Sequence, residues 1–152
     1  MGTVTYPDEK VAKFISLNFI PVQIQSSNAE LMQKYAVKWT PTILVLDADG
    51  REQFRSVGFF GPEEIIAALM VGKGHWYLAT EQFPEAKGMF EEVQSVYPQS
   101  EAAAEAIFFN GVNLYKMTHD PKKLRECYDL LAAKFPQSSW TKQASHYRLI
   151  GQ

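Results

Sequence analysis

The chain has 152 residues, of which 46% are hydrophobic and 21% charged, a composition that argues against collagen, coiled coil and extensive disorder. Its 15 basic and 17 acidic residues are spread without blocks and give a net charge of −2, so we expect no nucleic-acid partner. No apolar run approaches the roughly 18 residues of a membrane span, and we expect no membrane partner.

The N-terminal segment predicts helix, strand and helix in turn. Pro7 suits a first helical position, and residues 19–25 alternate apolar and polar side chains, which predicts a short strand. Ser27-Asn28-Ala29-Glu30 fits a capping box for a helix that runs to Tyr35. The first helix is predicted to stop at Asn18, after apolar residues at helical spacing: Val11, Phe14 and Ile15.

A hairpin and a further helix follow. Residues 42–46 form a continuous apolar run, which is typical of a strand covered on both faces. Residues 47–50 are Asp-Ala-Asp-Gly, and their Asp-Gly pair predicts a turn into a second strand over residues 52–57. Gly61-Pro62 then opens a helix with four apolar residues: Ile65, Ile66, Leu69 and Met70.

The second half has no strand pattern and contains an internal repeat. Six positions recur with a common displacement of 38 residues, which favours a duplicated helical unit. The residues Phe90, Val93, Tyr97, Pro98, Gln99 and Ser100 recur as Tyr128, Leu131, Phe135, Pro136, Gln137 and Ser138.

Each helical unit resembles a tetratricopeptide repeat. The first unit matches the pattern at Gly74, Tyr77, Ala86, Phe90 and Pro98. The second matches more loosely, with one extra residue between its helices, at Gly111, Leu114, Leu124, Tyr128 and Pro136. The resemblance implies that glycine allows two helices to approach, that aromatic residues fill the seam, and that proteins or peptides bind along the first helix of each repeat.

The face expected to bind carries Phe108 and Tyr115 in the second unit. A tetratricopeptide site for acidic C-termini would have Lys and Asn there instead. This face suits a hydrophobic peptide, or packing against the protein's own first half.

The first half resembles the thioredoxin family. Trp39-Thr40-Pro41-Thr42 lies between a helix and an apolar strand, as the cis-proline turn of that family does, and the resemblance extends from about residue 6 to residue 71. It implies that Trp39, Thr40 and Pro41 mark a substrate-docking turn. The tract at residues 5–11 is similar to that of bacterial thioredoxin-like proteins that continue into tetratricopeptide repeats.

The chain departs from the thioredoxin family in its cysteines. The family places a core strand and a CxxC motif before the tract that begins at Tyr6, where this chain has five residues, and its single cysteine is Cys127. One thiol cannot form a redox pair, and a lone helical cysteine is more often a packing residue. We expect no catalytic residue, no metal site and no cofactor.

The absent strand would lie between residues 20–25 and residues 42–46 in the family fold. We therefore expect that these two strands close on each other, or that a second copy or a partner supplies the missing pairing. An alternative is that the chain is a piece of a longer protein.

The predicted fold class is α/β then α, with an incomplete thioredoxin-like domain at residues 1–71 and a short tetratricopeptide-like array at residues 72–152. The predicted function is a non-catalytic protein-interaction module with a protein or peptide partner and the option of a homodimer. The alternatives are a fragment of a thiol-disulfide oxidoreductase whose CxxC lies upstream, and a scaffold without a ligand. A cytoplasmic location is expected, or a periplasmic one if an upstream signal was removed. The candidate binding residues are Trp39, Thr40, Pro41, Phe108 and Tyr115.

Overall fold

The computed structural model describes residues 1–151 as seven α-helices, one 3-10 helix and a hairpin of two strands. The elements are α1 (Glu9–Asn18), α2 (Ala29–Lys34), β1 (Thr42–Leu46), β2 (Glu52–Val57), α3 (Pro62–Ala79), α4 (Phe83–Val96), α5 (Glu101–Thr118), α6 (Lys122–Lys134), α7 (Ser139–Gln143) and the 3-10 helix Ala144–Leu149. The chain divides into two compact units, unit 1 (Met1–Ile66) and unit 2 (Ala67–Gln152). Within the described part of the chain, no helix has the length and apolarity that a bilayer crossing requires.

Helix α1 begins later than predicted and ends where predicted. Its N-cap is Asp8, whose carboxylate accepts hydrogen bonds from the backbone N–H groups of Lys10 at 2.9 Å and Val11 at 3.2 Å. Pro7 therefore lies before the helix, because the aspartate side chain satisfies the first free N–H groups and fixes the start at Glu9, two residues further along. The helix ends at Asn18.

The strand predicted over residues 19–25 is wrong. This segment has no regular secondary structure, and no backbone hydrogen bond joins residues 20–24 to the rest of the described chain. Ile20 is 92% exposed and Val22 74% exposed. Alternating apolar and polar side chains indicate a segment that could form a strand. A strand forms only where a second strand provides backbone hydrogen-bond partners.

Helix α2 is capped by Asn28, one residue after the predicted Ser27. The Asn28 side chain accepts a hydrogen bond from the backbone N–H of Leu31 at 3.1 Å, and Tyr35 is the C-cap. Asparagine and serine are both good N-caps, so the sequence defined the helix start only to within one residue.

The hairpin has the predicted bounds. β1 and β2 pair antiparallel from Thr42↔Val57 to Leu46↔Glu52, with an irregularity between Val45 and Leu46. The expectation of a strand covered on both faces is wrong, because only Val45 of β1 is buried in a sheet whose order is β1-β2. Direct closure of residues 20–25 onto β1 is wrong for the same reason.

The turn of the hairpin is organised by Asp47. Its Oδ1 accepts hydrogen bonds from the backbone N–H groups of Asp49 at 3.0 Å and Arg51 at 2.9 Å. Gly50 follows with φ of +77°, a left-handed conformation that glycine adopts without a Cβ clash. The local sequence therefore determines this turn without help from distant residues.

Helix α3 is a single helix of 18 residues that begins at Pro62, as predicted. It joins two segments that the sequence treated separately, the apolar helix around Ile65 and the first repeat helix with Gly74. The boundary between the two compact units, after Ile66, lies inside this helix.

Close helix contacts in unit 2 occur at two glycines. A Cβ placed on Gly74 would lie 2.6 Å from a ring carbon of Phe90, and one on Gly111 would lie 2.4 Å from the Cβ of Cys127. In the second unit the side chain that meets the repeat glycine is that of Cys127, next to Tyr128 in sequence. α4 packs on α5, and α5 packs on α6.

Candidate functional site

The Thr-Pro turn precedes β1 and is held by two hydrogen bonds. The Thr42 hydroxyl donates to the carbonyl oxygen of Trp39 at 2.6 Å, and the backbone N–H of Gly58 donates to the carbonyl oxygen of Pro41 at 2.9 Å. The peptide bond between Thr40 and Pro41 is cis. The Trp39 side chain is 74% exposed, so the turn presents an indole to solvent.

The bond between Gly58 and Pro41 brings the end of β2 beside this turn. Val57 pairs with Thr42, and both Val57 and Phe59 are more than half exposed. We define the Thr-Pro surface as the exposed group Trp39, Thr40, Pro41, Val57 and Phe59.

Sequence reasoning missed Phe59. The doublet Phe59-Phe60 before Gly61 could have indicated an exposed aromatic side chain. Adjacent residues in an extended chain point to opposite sides, so one of the two would face solvent. The Phe60 carbonyl accepts a hydrogen bond from the buried Thr5 hydroxyl, which ties the start of the chain to this segment. Phe59 is left toward solvent.

The chemistry of the Thr-Pro surface is apolar contact. The surface contains an indole, a proline ring, a valine and a phenyl ring, with one hydroxyl and no thiol, carboxylate or amine. Such groups bury apolar side chains of a partner and do not activate a nucleophile or transfer a proton.

The two candidate residues of unit 2 lie in different environments. Phe108 is half-buried and packs against Trp140, with ring centroids 5.2 Å apart, and against Tyr147 at 6.1 Å. Tyr115 is 38% exposed, seven residues further along α5. Phe108 is therefore partly covered by its own unit, whereas Tyr115 is available to solvent.

Sequence reasoning also missed a hydrogen-bonded His–Glu pair in unit 2. His75 Nε2 of α3 lies 2.8 Å from Glu105 Oε1 of α5, and both side chains are less than a quarter exposed. The imidazole stands edge-on to Phe109, with ring centroids 4.2 Å apart. Thirty residues separate the two partners, so local sequence patterns contain no sign of the pair.

Cys127 is unsuited to thiol chemistry. The side chain is 5% exposed, and its Sγ lies 3.5 Å from the carbonyl oxygen of Ile107. Burial raises the pKa of the Cys127 thiol to about 12, so the thiol stays protonated at neutral pH and is a poor nucleophile. Across residues 1–151, no cluster of three His, Cys, Asp or Glu side chains is placed to hold a metal ion.

Comparison with known proteins identifies the class of the first segment. Residues 3–72 match the family model of the thioredoxin-like domain. The match contains α1, α2, the hairpin and the first part of α3, so these elements form a thioredoxin-like domain, as the turn at Pro41 and its flanking elements predicted. Searches of curated proteins and of solved structures gave no match.

Proposed function

We propose that this protein is a non-catalytic interaction module that binds an apolar segment of another protein or peptide at the Thr-Pro surface. The helical unit adds a second surface around Tyr115. The single observation that carries the proposal is the exposure of Trp39 at the Thr-Pro turn of a thioredoxin-like domain.

The energetics favour Trp39 as the anchor of such binding. Aromatic side chains bury roughly 150–250 Å² each, and tryptophan is enriched among the residues that dominate binding energy. Val57 pairs with Thr42 beside the turn, and Phe59 follows the Gly58 that bonds to Pro41, so both would exclude water from the contact, which is the usual role of residues around an anchor.

The tetratricopeptide-like character of unit 2 is part of the proposal. Two observations support it. Each of two glycines on successive first helices meets a side chain of the following helix at a distance that leaves no room for a Cβ, Gly74 with Phe90 and Gly111 with Cys127. The proposed role of this unit is to provide a second binding surface around Tyr115.

A displayed library of random unstructured peptides tests the proposal. We expect the full chain to enrich peptides that contain apolar residues, and Trp39→Ala to weaken their binding at least tenfold, because truncation of an aromatic anchor costs on the order of 2 kcal/mol. The matched control is Leu17→Ala, since Leu17 is 73% exposed on α1, away from the turn in sequence.

Two results would contradict the proposal. One is equal binding of the enriched peptides by Trp39→Ala and the unsubstituted chain, with equal unfolding midpoints. The other is insulin reduction by the chain that survives Cys127→Ser, because it would show catalysis without the only thiol.

A further inference from the structure

Unit 1 contains a segment without regular secondary structure, residues 20–24, and a strand, β1, with one edge that has no paired strand. Residues 20–24 make no backbone hydrogen bond within the described chain, and β1 pairs with β2 alone. We propose that two copies of the chain pair by reciprocal exchange, with residues 20–24 of each copy lying along the free edge of β1 of the other.

Neither partner of this pairing carries a charge. Residues 14–29 are uncharged, and so are residues 39–46. Natural sheets keep their edges from pairing with other chains by placing charged side chains, especially lysine, on them. Here that protection is absent from both the segment and the edge, and no like charges would repel when two copies approach.

The backbone N–H and C=O groups that the segment offers for pairing lie on one of its two sides. Backbone groups of successive residues in an extended chain point to opposite edges, and Pro21 lacks an N–H. The side of the segment shared by Ile20, Val22 and Ile24 therefore has a complete set of donors and acceptors. Their side chains are 92%, 74% and 44% exposed.

The backbone groups that β1 offers for pairing belong to its even-numbered residues. The Pro41 carbonyl accepts from Gly58, and the Asp47 N–H donates to Arg51, so odd-numbered residues of this stretch point toward β2. Even-numbered residues, among them Thr42 and Leu44, point to the free edge. The segment and the edge are thus two rows of backbone groups that have no backbone partner in the described chain.

A second copy is the occupant that satisfies both rows together. Each chain supplies one segment and one edge, so a two-fold arrangement makes the same contact twice and leaves neither row open. This dimer goes beyond the proposed function.

Native mass spectrometry and light scattering of the full chain test the dimer. We expect a mass twice that of the 17.2 kDa chain, and conversion to monomer by Val22→Lys. Leu17→Lys is the matched control, because Leu17 is equally exposed but lies on α1, and it should remain dimeric. Circular dichroism of each variant establishes that the helices are retained.

Two proline variants test the backbone pairing itself. Val22→Pro removes an N–H from the pairing side and should give monomer. Gln23→Pro removes one from the side that already lacks the Pro21 N–H, and should remain dimeric.

A mixing experiment separates reciprocal exchange from pairing of two copies of the segment with each other. We expect Leu46→Lys, at the end of β1, to be monomeric alone and to form mixed dimers with Val22→Lys, because one intact contact remains. A monomeric unsubstituted chain at all concentrations would overturn the proposal. So would a dimer that survives Val22→Lys, or one that survives Leu46→Lys.

Discussion

At the scale of single residues, two glycines stand where a side chain has no room. A Cβ on Gly111 would lie 2.7 Å from the Cys127 Sγ as well as 2.4 Å from its Cβ. We expect Gly111→Ala to lower the free energy of unfolding by about 1–3 kcal/mol, because overpacking outweighs the helix propensity that alanine adds. Denaturant unfolding of the full chain measures the change.

Gly88 provides the matched control. It lies within α4 with no atom in the way of an added Cβ, so Gly88→Ala should raise the free energy of unfolding by about 0.5–1 kcal/mol. Equal effects of the two substitutions would show that the α5–α6 contact at Gly111 is looser than described.

At the scale of elements, the hairpin turn depends on the charge of Asp47. The backbone N–H of Arg51 is the main cause that holds the pKa of the Asp47 carboxyl below its usual value, helped by the N–H of Asp49, the charge of Arg51 and the amide of Gln53, against a smaller opposing effect of desolvation. The carboxylate therefore stabilises the fold above its usual pKa of 3.8, and this contribution is lost as pH falls through the lower folded value.

We expect Asp47→Ala to lower the unfolding midpoint at pH 7 and to lower it less at pH 3, where the acid form begins to appear in the unsubstituted chain. Asp49→Ala is the control, because that side chain is exposed and its ion pair with Arg51 lies in solvent. If Asp47→Ala lowers the unfolding midpoint by the same amount at both pH values, the charge of Asp47 has no role in stability.

Elements governed by nearby residues were predictable from sequence. The Asp-Gly turn predicted both strands of the hairpin, because the side chains that stabilise it lie within a few positions of one another. The start of α1 was placed two residues early, at Pro7 instead of Glu9, and the cap of α2 was placed one residue early, because Ser27 and Asn28 are adjacent good capping residues. Residues 19–25 have the pattern of a strand, but the pattern does not reveal whether an edge is present.

The candidate site was predictable in part for the same reason. Trp39, Thr40 and Pro41 are contiguous, so the sequence shows them together. Phe59 comes near them because Gly58 bonds to Pro41, and His75 of α3 meets Glu105 of α5 across thirty residues of sequence. Contacts of this kind depend on register and helix packing, which a single sequence does not determine.

Helix α3 contains the division between the two compact units. The helix runs unbroken from Pro62 to Ala79, and the boundary after Ile66 falls inside it. We expect Ala67→Pro to lower the free energy of unfolding by about 3 kcal/mol or more, because proline removes a helical hydrogen bond and Ala67 is fully buried. Thermal unfolding of the full chain measures the loss.

Glu63→Pro is the control for this substitution. Position 63 lies in the first turn of α3, where an N–H has no partner within the helix and proline is tolerated. If both proline variants unfold at the same temperature, the boundary between the units behaves as a linker and not as a helix.

The enclosed thiol of Cys127 has a practical consequence for handling the protein. A sulfhydryl that solvent does not reach is spared from air oxidation, so the native chain should keep in storage without added reductant. Any cross-linked band on a non-reducing gel would then report molecules that had opened, which makes such a gel a simple check on sample integrity.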